Sequence, residues 1–348
     1  REILAEAIGA AEPREIIMTS GATESDNLAI QGIWNAAGAG HIVTVETEHP
    51  AVLDTCDALE RRGARVTRLA VDDDGIIDPV ALADAITDET VLVSIMAANS
   101  EIGTLQPLAE IGRITAERDV LFHCDAAQAV GKIPLHVDEA GIDLMSFSGH
   151  KLYGPKGVGA LYLRRRRRST GQRIRVEPLL FGGGHEWGLR SGTLPVPLIV
   201  GLGRAVEIAC AERETEAKRV ASLRAEFLTR LESEVGGVTL NGPPLGESRL
   251  PANLNLSFDG IEADALIAGL PGIALSSGSA CASAKAEVSH VLQACGLGQE
   301  RIRGAVRFGL GRSTTRQELA EAADAIASEV ARLRSLGPGA VAGSLARG

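Results

Sequence analysis

Residues 143–163 read DLMSFSGHKLYGPKGVGALYL, and the interpretation of the whole chain starts from this stretch. It opens and closes with apolar runs of strand length, which flank a segment rich in glycine and proline that contains Lys151. A lysine desolvated on such a loop loses its proton easily and becomes a nucleophilic amine able to form a Schiff base. The alternative, which the stretch alone favours, is a surface lysine whose head group stays in water.

Short apolar runs alternate with helical patterns through the first two hundred residues. Such alternation indicates an α/β fold with a mostly parallel sheet covered by helices on both faces. A further strand is the run that closes residues 143–163. The other predicted strands are 15–19, 42–45, 66–69, 91–96, 120–123 and 144–148, and the predicted helices are 23–37, 51–62, 80–86 and 108–117.

The rhythm changes at residues 195–236, a long helical pattern rich in Glu and Arg. Beyond it the sequence predicts two strands and two helices, which indicates a smaller α+β domain. The Gly- and Ala-rich end of the chain predicts a flexible tail. We therefore expect a large α/β domain at 1–207, a small domain at 208–336 and a tail at 337–348.

Bulk composition narrows the class of protein. A net charge of −10 argues against direct nucleic-acid binding, and no run approaches the ~18 apolar residues that a membrane helix needs. The five cysteines include no C-x-x-C pair, which favours a reducing cytoplasm and argues against disulfides or a structural metal site. The basic run at 164–168 follows a strand and favours a solvated turn, with a basic docking patch as the alternative.

Residues 19–25 (TSGATES) are the first chemical signal. Here a predicted strand runs through a glycine into a helix start, so that backbone N–H groups and hydroxyls converge on a site suited to phosphate. The alternative is an ordinary helix cap, because Thr23 and Asp26 have capping-box spacing.

Two further polar residues follow predicted strands. His49 and Asp125 are expected at the carboxyl edge of the sheet, where open α/β sheets bind ligands. Either residue could instead be a helix cap. A carboxylate under a heterocyclic nitrogen keeps that nitrogen protonated. Asp125 and Lys151, on neighbouring strand ends, would therefore supply the two fixed points that a pyridoxal phosphate ring needs.

Six segments then occur in order: SGATESDNLAI, TEHPAVLDT, CDAAQAVGK, DLMSFSGHKLYGPKGVGALY, GGGHEWGLRSGTLPV and SSGSACAS. In these segments the chain resembles the cysteine desulfurases of the iron–sulfur-cluster assembly type. These are pyridoxal-phosphate-dependent transferases of fold type I, in the class V aminotransferase family. The resemblance runs from Arg1 to about Leu336.

The resemblance implies how the cofactor would be held. Lys151 would form the Schiff base, and Asp125 would pair with the pyridinium nitrogen. His49 would stack on the ring and move protons, while Gln128 would reach the ring oxygen. Because one phosphate ligand would come from the neighbouring subunit, the resemblance also implies a homodimer. The phosphate ligands would be Ala22, Thr23, Ser148 and His150, with Thr193 of the neighbouring subunit.

The resemblance further implies conversion of L-cysteine to L-alanine, with the sulfur left as a persulfide on Cys281. The surrounding LSSGSACASA has few side chains to anchor it, so we expect a mobile cysteine, although free thiols are more often small buried groups. Arg307 would bind the substrate carboxylate; a structural Asp or Glu could equally satisfy this guanidinium within its apolar strand. Sulfur would pass to acceptors such as an iron–sulfur scaffold or a tRNA-thiolation sulfurtransferase.

Two departures from the family pattern keep alternatives open. Ser100 stands where the family has an Asn that contacts cofactor and substrate, and its shorter side chain costs roughly 1 kcal/mol if one hydrogen bond is not replaced. A family segment at the N-terminus is also expected to be missing. The alternatives are a related selenocysteine lyase or aminotransferase, or a catalytically weakened dimer that serves in sulfur trafficking.

Overall fold

The computed structural model describes residues 1–277 and 288–337. The chain divides into two compact units. Two short segments that precede residue 207 in the chain belong to the second unit, and one of them contains Ser100. The first unit consists of Arg1–Val71, Ile76–Asn99 and Leu105–Arg213, and the second of Asp72–Gly75, Ser100–Thr104 and the chain from Glu214 onward.

A seven-stranded, mostly parallel sheet forms the centre of the first unit, which confirms the predicted α/β fold. Its order is β1-β7-β6-β5-β4-β2-β3, with β7 antiparallel to both neighbours and the other neighbouring pairs parallel. The strands are β1 (Ile16–Thr19), β2 (His41–Val45), β3 (Arg65–Leu69), β4 (Thr90–Ser94), β5 (Leu121–Asp125), β6 (Leu144–Ser148) and β7 (Gly159–Leu163).

The helices of the first unit explain why these strands read as continuous apolar runs. Every residue of β1, β2, β5, β6 and β7 is buried, as expected of a sheet with both faces covered. All the strands and helices predicted here are present, with ends that shift by one or two residues. The helices are α1 (Glu2–Ile8), α2 (Ala22–Ala37), α3 (Pro50–Glu60), α4 (Pro79–Ala85) and α5 (Leu108–Glu117).

The long helix α6 (Val196–Val235) begins in the first unit and ends in the second. The second unit has a four-stranded antiparallel sheet of order β10-β11-β9-β8, with a core of Leu, Ile and Phe. Only its shortest elements escaped prediction, because runs of two to five residues carry little periodicity. The elements are β8 (Val238–Leu240), β9 (Asn253–Phe258), α7 (Ala263–Gly269), β10 (Ser276–Ser277), α8 (His290–Ala294), α9 (Gln299–Arg303), β11 (Ala305–Gly309) and α10 (Arg316–Ser335).

The basic run at 164–168 directly follows β7, and three of its five arginines form ion pairs with acidic groups. The guanidinium of Arg164 pairs with the carboxylates of Asp138 and Asp143, and that of Arg168 pairs with Asp143 at 3.4 Å. Because neighbouring carboxylates already neutralise these charges, the solvated turn is favoured over a basic docking patch. No helix in the described part of the chain is long and apolar enough to cross a membrane.

Candidate active site

The carboxyl ends of β5 and β6 lie side by side, because these two strands are parallel neighbours. Asp125 is the last residue of β5, with 8% of its surface exposed, and its Oδ1 accepts the N–H of Ala127 at 2.8 Å. Lys151 follows β6 in a short 3-10 turn, Gly149–Leu152. The two side chains lie near enough that the positive charge of Lys151 lowers the pKa of Asp125.

Several groups set the charge of Asp125. Burial raises the pKa of this carboxyl, while the Ala127 N–H and the charges of His49 and Lys151 act in the opposite direction. A buried carboxylate that faces cations is suited to hold a proton on a heterocyclic nitrogen. The environment of Asp125 therefore fits the pyridine nitrogen of pyridoxal phosphate.

Lys151 itself is exposed, so the expectation of a lysine desolvated between two buried strands is wrong. The 3-10 turn buries the adjacent Leu152 and leaves Lys151 exposed. What the site can provide is proximity, because a carbonyl group held over Asp125 would lie beside the lysine.

The N-terminus of α2 lacks the side-chain cap that was one interpretation of residues 19–25. The N-cap residue is Gly21, and no side chain there caps the helix. The alternative of a capping box formed by Thr23 and Asp26 is therefore wrong. The first N–H groups of α2 are left available for an anion, as the phosphate interpretation requires.

Side chains from the β6 end complete this cradle. The hydroxyl of Ser148 lies 2.8 Å from Nδ1 of His150, and 3.6 Å from where a Cβ on Gly21 would stand. Gly159 lets β7 lie close to β6 at this point, because a Cβ on Gly159 would stand only 2.5 Å from the carbonyl oxygen of Phe147. A helix N-terminus, a hydroxyl and an imidazole thus converge in a geometry that fits a phosphate group.

His49 is a helix cap and also faces the site. It is the N-cap residue of α3, and its Nδ1 accepts the N–H of Ala51 at 3.1 Å. In the neutral ring Nε2 therefore carries the hydrogen. Since the charge of His49 also acts on Asp125, the cap interpretation and the functional one hold together. The cap fixes which nitrogen exchanges protons.

Two other residues predicted to bind the cofactor, Gln128 and Thr193, have fewer contacts that bear on that role. Gln128 follows β5, and its Oε1 accepts a hydrogen bond from Lys132 Nζ at 2.7 Å, which leaves the amide NH₂ as the donor for a ring oxygen. Thr193 is exposed. Its segment is tied to the first turn of α2 by the ion pair between Arg190 and Glu24, with Nε and Oε1 2.7 Å apart.

In the second unit, Arg307 lies on β11 and donates to the Ser100 carbonyl oxygen and to Ser276 Oγ, both at 3.2 Å. No carboxylate in the described ranges forms an ion pair with Arg307, and its buried Nε lacks a hydrogen-bond partner there. The charge of Arg307 does lower the pKa of the buried carboxyl of Glu101, so the structural Glu considered from the sequence stays an alternative. Ser100 contributes its backbone rather than its hydroxyl to this contact.

Cys281 lies outside the described residues. Of the described cysteines, Cys56, Cys124 and Cys295 are buried and Cys210 is half-buried. Burial raises the pKa of each of these four thiols, to about 12 for Cys56 and Cys295. Since the thiolate is the reactive form, these four are poor nucleophiles.

Sequence reasoning missed three buried polar side chains beside Asp125. They are Asp26 on α2, Glu48 before His49, and His123 on β5, each no more than 1% exposed. The available signal was the presence of Asp and His inside segments that are otherwise buried by their apolar pattern. In the described ranges no cluster of three or more His, Cys, Asp or Glu is arranged to hold a metal ion.

The family model "Aminotransferase class-V" matches residues 1–321. The chain belongs to the class-V aminotransferase family. Its pyridoxal phosphate cofactor agrees with the surroundings of Asp125 and with the phosphate cradle.

Relatives of this class-V aminotransferase carry a more specific name. This chain is 51% identical over 340 residues to "Cysteine desulfurase IscS" of Rickettsia felis, and the match covers 97% of this chain and 81% of that protein. The protein of the same name from Rickettsia bellii is 51% identical over 337 residues, covering 96% and 80%.

Solved structures agree on the fold. A "NifS-like protein" superposes with a TM-score of 0.86 at 37% identity, covering 95% of this chain and 86% of the other. "SspA in complex with cysteine" matches with a TM-score of 0.75 at 39% identity, covering 89% and 84%. DndA from Streptomyces lividans gives a TM-score of 0.77 at 38% identity, covering 88% and 86%.

Proposed function

We propose that this chain is a pyridoxal-phosphate-dependent cysteine desulfurase, which converts L-cysteine to L-alanine and supplies sulfur for iron–sulfur cluster assembly. The observation that carries the proposal is the placement of Lys151 and the buried Asp125 at the ends of two parallel neighbouring strands, next to a phosphate cradle at the carboxyl edge of the sheet. Relatives at 51% identity are named cysteine desulfurases, which supports the substrate.

The chain's own groups bind and orient the cofactor. Bound there, pyridoxal phosphate supplies an electron-withdrawing ring that stabilises negative charge at the substrate Cα. Asp125 would keep the proton on the ring nitrogen, and Gln128 would donate to the ring oxygen. His49 would stack on the ring, and its Nε2 and the amine of Lys151 would take and return protons at the substrate Cα.

The phosphate is proposed to bind at the start of α2. The backbone N–H groups of Ala22 and Thr23 donate to it, because no side chain caps this end of the helix. Ser148 and His150 contribute a hydroxyl and an imidazole that are already hydrogen-bonded to each other. Thr193 of the partner subunit is proposed to complete the site.

Substrate and sulfur are assigned to two further residues. Arg307, which has no ion-pair partner in the described ranges, is proposed to bind the substrate carboxylate through two parallel N–H···O bonds. Ser100 holds that guanidinium through its carbonyl oxygen. The Cys281 thiolate is proposed to attack the substrate sulfur. As the new S–S bond forms, the electron pair of the C–S bond stays with the substrate carbon, which is protonated to alanine.

Transfer of the persulfide to another protein completes the proposal. The acceptors would be an iron–sulfur scaffold or a sulfurtransferase of tRNA thiolation. We infer a cytoplasmic location as well, which the four free thiols of the described chain support, since oxidising compartments favour disulfides.

Replacement of Cys281 by serine is the direct test of this function. We expect Cys281→Ser to bind the cofactor with the wild-type visible spectrum yet to lose sulfide and alanine production from L-cysteine. The loss should be at least about a hundredfold, because a serine hydroxyl is a far weaker nucleophile than a thiolate at neutral pH. Sulfide release under a reductant and alanine formation measure the outcome.

Cys210→Ser is the matched control, because Cys210 is the least buried of the described cysteines. This variant should keep wild-type rates. Normal desulfuration by Cys281→Ser would disprove the nucleophile assignment, and a wild-type chain that forms no alanine from L-cysteine would disprove the proposed activity.

We propose further that the chain works as a homodimer. The segment that carries Thr193 also exposes large apolar side chains, with 82% of Phe181, 51% of Trp187 and 44% of Leu180 accessible. Ser191 donates its N–H to the Leu180 carbonyl oxygen, so these residues lie in one folded segment. An exposed apolar patch of this kind is typical of a subunit interface.

Phe181→Asp should therefore shift the chain toward monomer. Two-fold symmetry places the new charge at the interface twice, so the dimer dissociation constant should rise at least about a hundredfold. Sedimentation velocity over a range of concentrations measures the change. Val80→Asp on α4, where Val80 is 66% exposed, is the control and should not alter association. An unchanged Phe181→Asp dimer would exclude this patch as the interface.

A further inference from the structure

A buried acidic cluster surrounds Asp125. It consists of Asp26 from α2, Glu48 from the turn after β2, and Asp125 itself. The charges of the three carboxyls act on one another, so they lie close together. Carboxylates this close and out of water cannot all be ionised, because each charge raises the cost of the next one.

Asp26 has few groups that could stabilise a negative charge. The only ion-pair partner within reach in the described ranges is Nε2 of His123, 3.6 Å from Asp26 Oδ1. The hydroxyl of Ser146 also faces the carboxyl, but neither oxygen of Asp26 has a partner at full hydrogen-bond geometry in those ranges. A buried carboxylate without donors is strongly unfavourable, whereas a neutral acid in the same place is much less so.

His123 is itself a neutral group. Its Nδ1 lies 2.8 Å from Ser94 Oγ and its Nε2 lies 2.9 Å from Ser146 Oγ. Hydroxyls can serve as donor to one ring nitrogen and acceptor from the other, which is the pattern of an uncharged imidazole. Burial lowers the pKa of His123 to about 3, so it offers no positive charge to Asp26 at neutral pH.

Glu48 differs from Asp26 in its donors. The backbone N–H groups of Met96 and His49 hydrogen-bond to the Glu48 carboxyl, so its charged form has partners that Asp26 lacks. Burial raises the pKa of both carboxyls well above the usual range, and the charge of Asp125 adds to the effect. The Cys124 thiol completes the surroundings, and burial keeps it protonated.

We propose that Asp26 is a neutral carboxylic acid in the working protein, and that it is thereby a positioning residue that leaves negative charge on Asp125. The negative charge of an ionised Asp26 would favour protonation of Asp125, and a protonated Asp125 could not accept the hydrogen bond of the ring N–H. A neutral Asp26 removes this repulsion and leaves Asp125 ionised as the acceptor. The consequence for the cofactor rests on the proposed function, whereas the protonation of Asp26 does not.

The pH dependence of unfolding distinguishes a neutral Asp26 from an ionised one. An acid whose pKa is higher in the folded than in the unfolded chain stabilises the fold below its unfolded pKa, and this contribution is lost as pH rises. Asp26→Asn cannot ionise, so it does not lose this stability as pH rises. Relative to wild type, the variant should therefore gain about tenfold in folding equilibrium constant per pH unit above about pH 4, until the folded pKa is reached.

Denaturant unfolding of the full chain between pH 4 and 8, with and without pyridoxal phosphate, measures this difference. Glu24→Gln on the same helix is the matched control: although burial raises the pKa of Glu24, Arg190 and Ser20 lower it below its usual value. The stability that Glu24→Gln loses relative to wild type should therefore develop below about pH 4.5 and stay constant above it. The proposal is wrong if Asp26→Asn loses stability relative to wild type as pH rises. It is also wrong if the stability difference between Asp26→Asn and wild type does not vary with pH, because Asp26 would then be ionised throughout this range.

A second readout separates positioning from structural support. If Asp26 acts as a neutral acid, Asp26→Asn should keep the cofactor affinity and the pH titration of its visible absorption near wild type. Asp26→Leu is uncharged as well, so it should leave that titration in place even though loss of the polar group should weaken pyridoxal phosphate binding about tenfold. A titration displaced from the wild-type position in Asp26→Asn would show that Asp26 carries a charge and would overturn the positioning role. A chain that fails to bind pyridoxal phosphate refutes the proposed function instead, because the unfolding result stands without the cofactor.

Discussion

Replacing Lys151 by alanine is expected to abolish both covalent attachment of the cofactor and sulfide release from L-cysteine. The amine is proposed to act twice, as the group that holds the aldehyde and as a proton carrier at the substrate Cα. Removal of a general base alone costs about 10²–10⁴ in rate, so the combined loss should be at least about a thousandfold. The fold should survive, because Lys151 is exposed and its neighbour Leu152 provides the packing.

Borohydride reduction followed by peptide mapping checks this prediction. In the wild type the label should fall on the peptide that carries Lys151, and in Lys151→Ala it should disappear. Lys156→Ala is the matched control, because Lys156 is also exposed and lies in the next turn of the same loop. A label that persists in Lys151→Ala, or that moves to Lys156, would assign the attachment to another residue.

Asp125→Asn is expected to lower kcat by about 10²–10³, the size that results when one preorganised charge interaction is removed from a buried site. Asparagine keeps the shape and can still accept the Ala127 N–H through its Oδ1, so the strand end should not move. What is lost is the negative charge that holds the ring proton. The effect should therefore appear mainly in kcat and in the cofactor spectrum rather than in the free energy of unfolding.

Steady-state kinetics, cofactor affinity and denaturant unfolding, measured side by side, test the role of Asp125. Asp54→Asn, on the exposed face of α3, is the control and should leave all three unchanged. A variant Asp125→Asn that keeps wild-type kcat would show that the ring nitrogen does not depend on this carboxylate. The proposed function would then lose the observation on which it mainly rests.

The fold was predictable from the sequence because the sheet is buried on both faces. Strands such as β6 and β7 read as apolar runs with helical patterns between them, and no distant contact is needed to recognise such runs. The positions of Asp125 and Lys151 followed from the same pattern, since residues just after neighbouring parallel strands meet at one edge. The six motif segments that the chain shares with its family supplied the residue roles.

The sequence by itself therefore determined the α/β architecture and which side chains reach the carboxyl edge of the sheet. Only the tertiary structure decided that Lys151 is exposed, that Gly21 rather than Thr23 is the N-cap of α2, and that Asp26 is buried against His123. The physical reason is that periodicity reports the local chain, whereas solvation and charge depend on groups that folding brings together. Asp26 and His123 are 97 residues apart in the sequence, and their 3.6 Å approach exists only once α2 packs on β5.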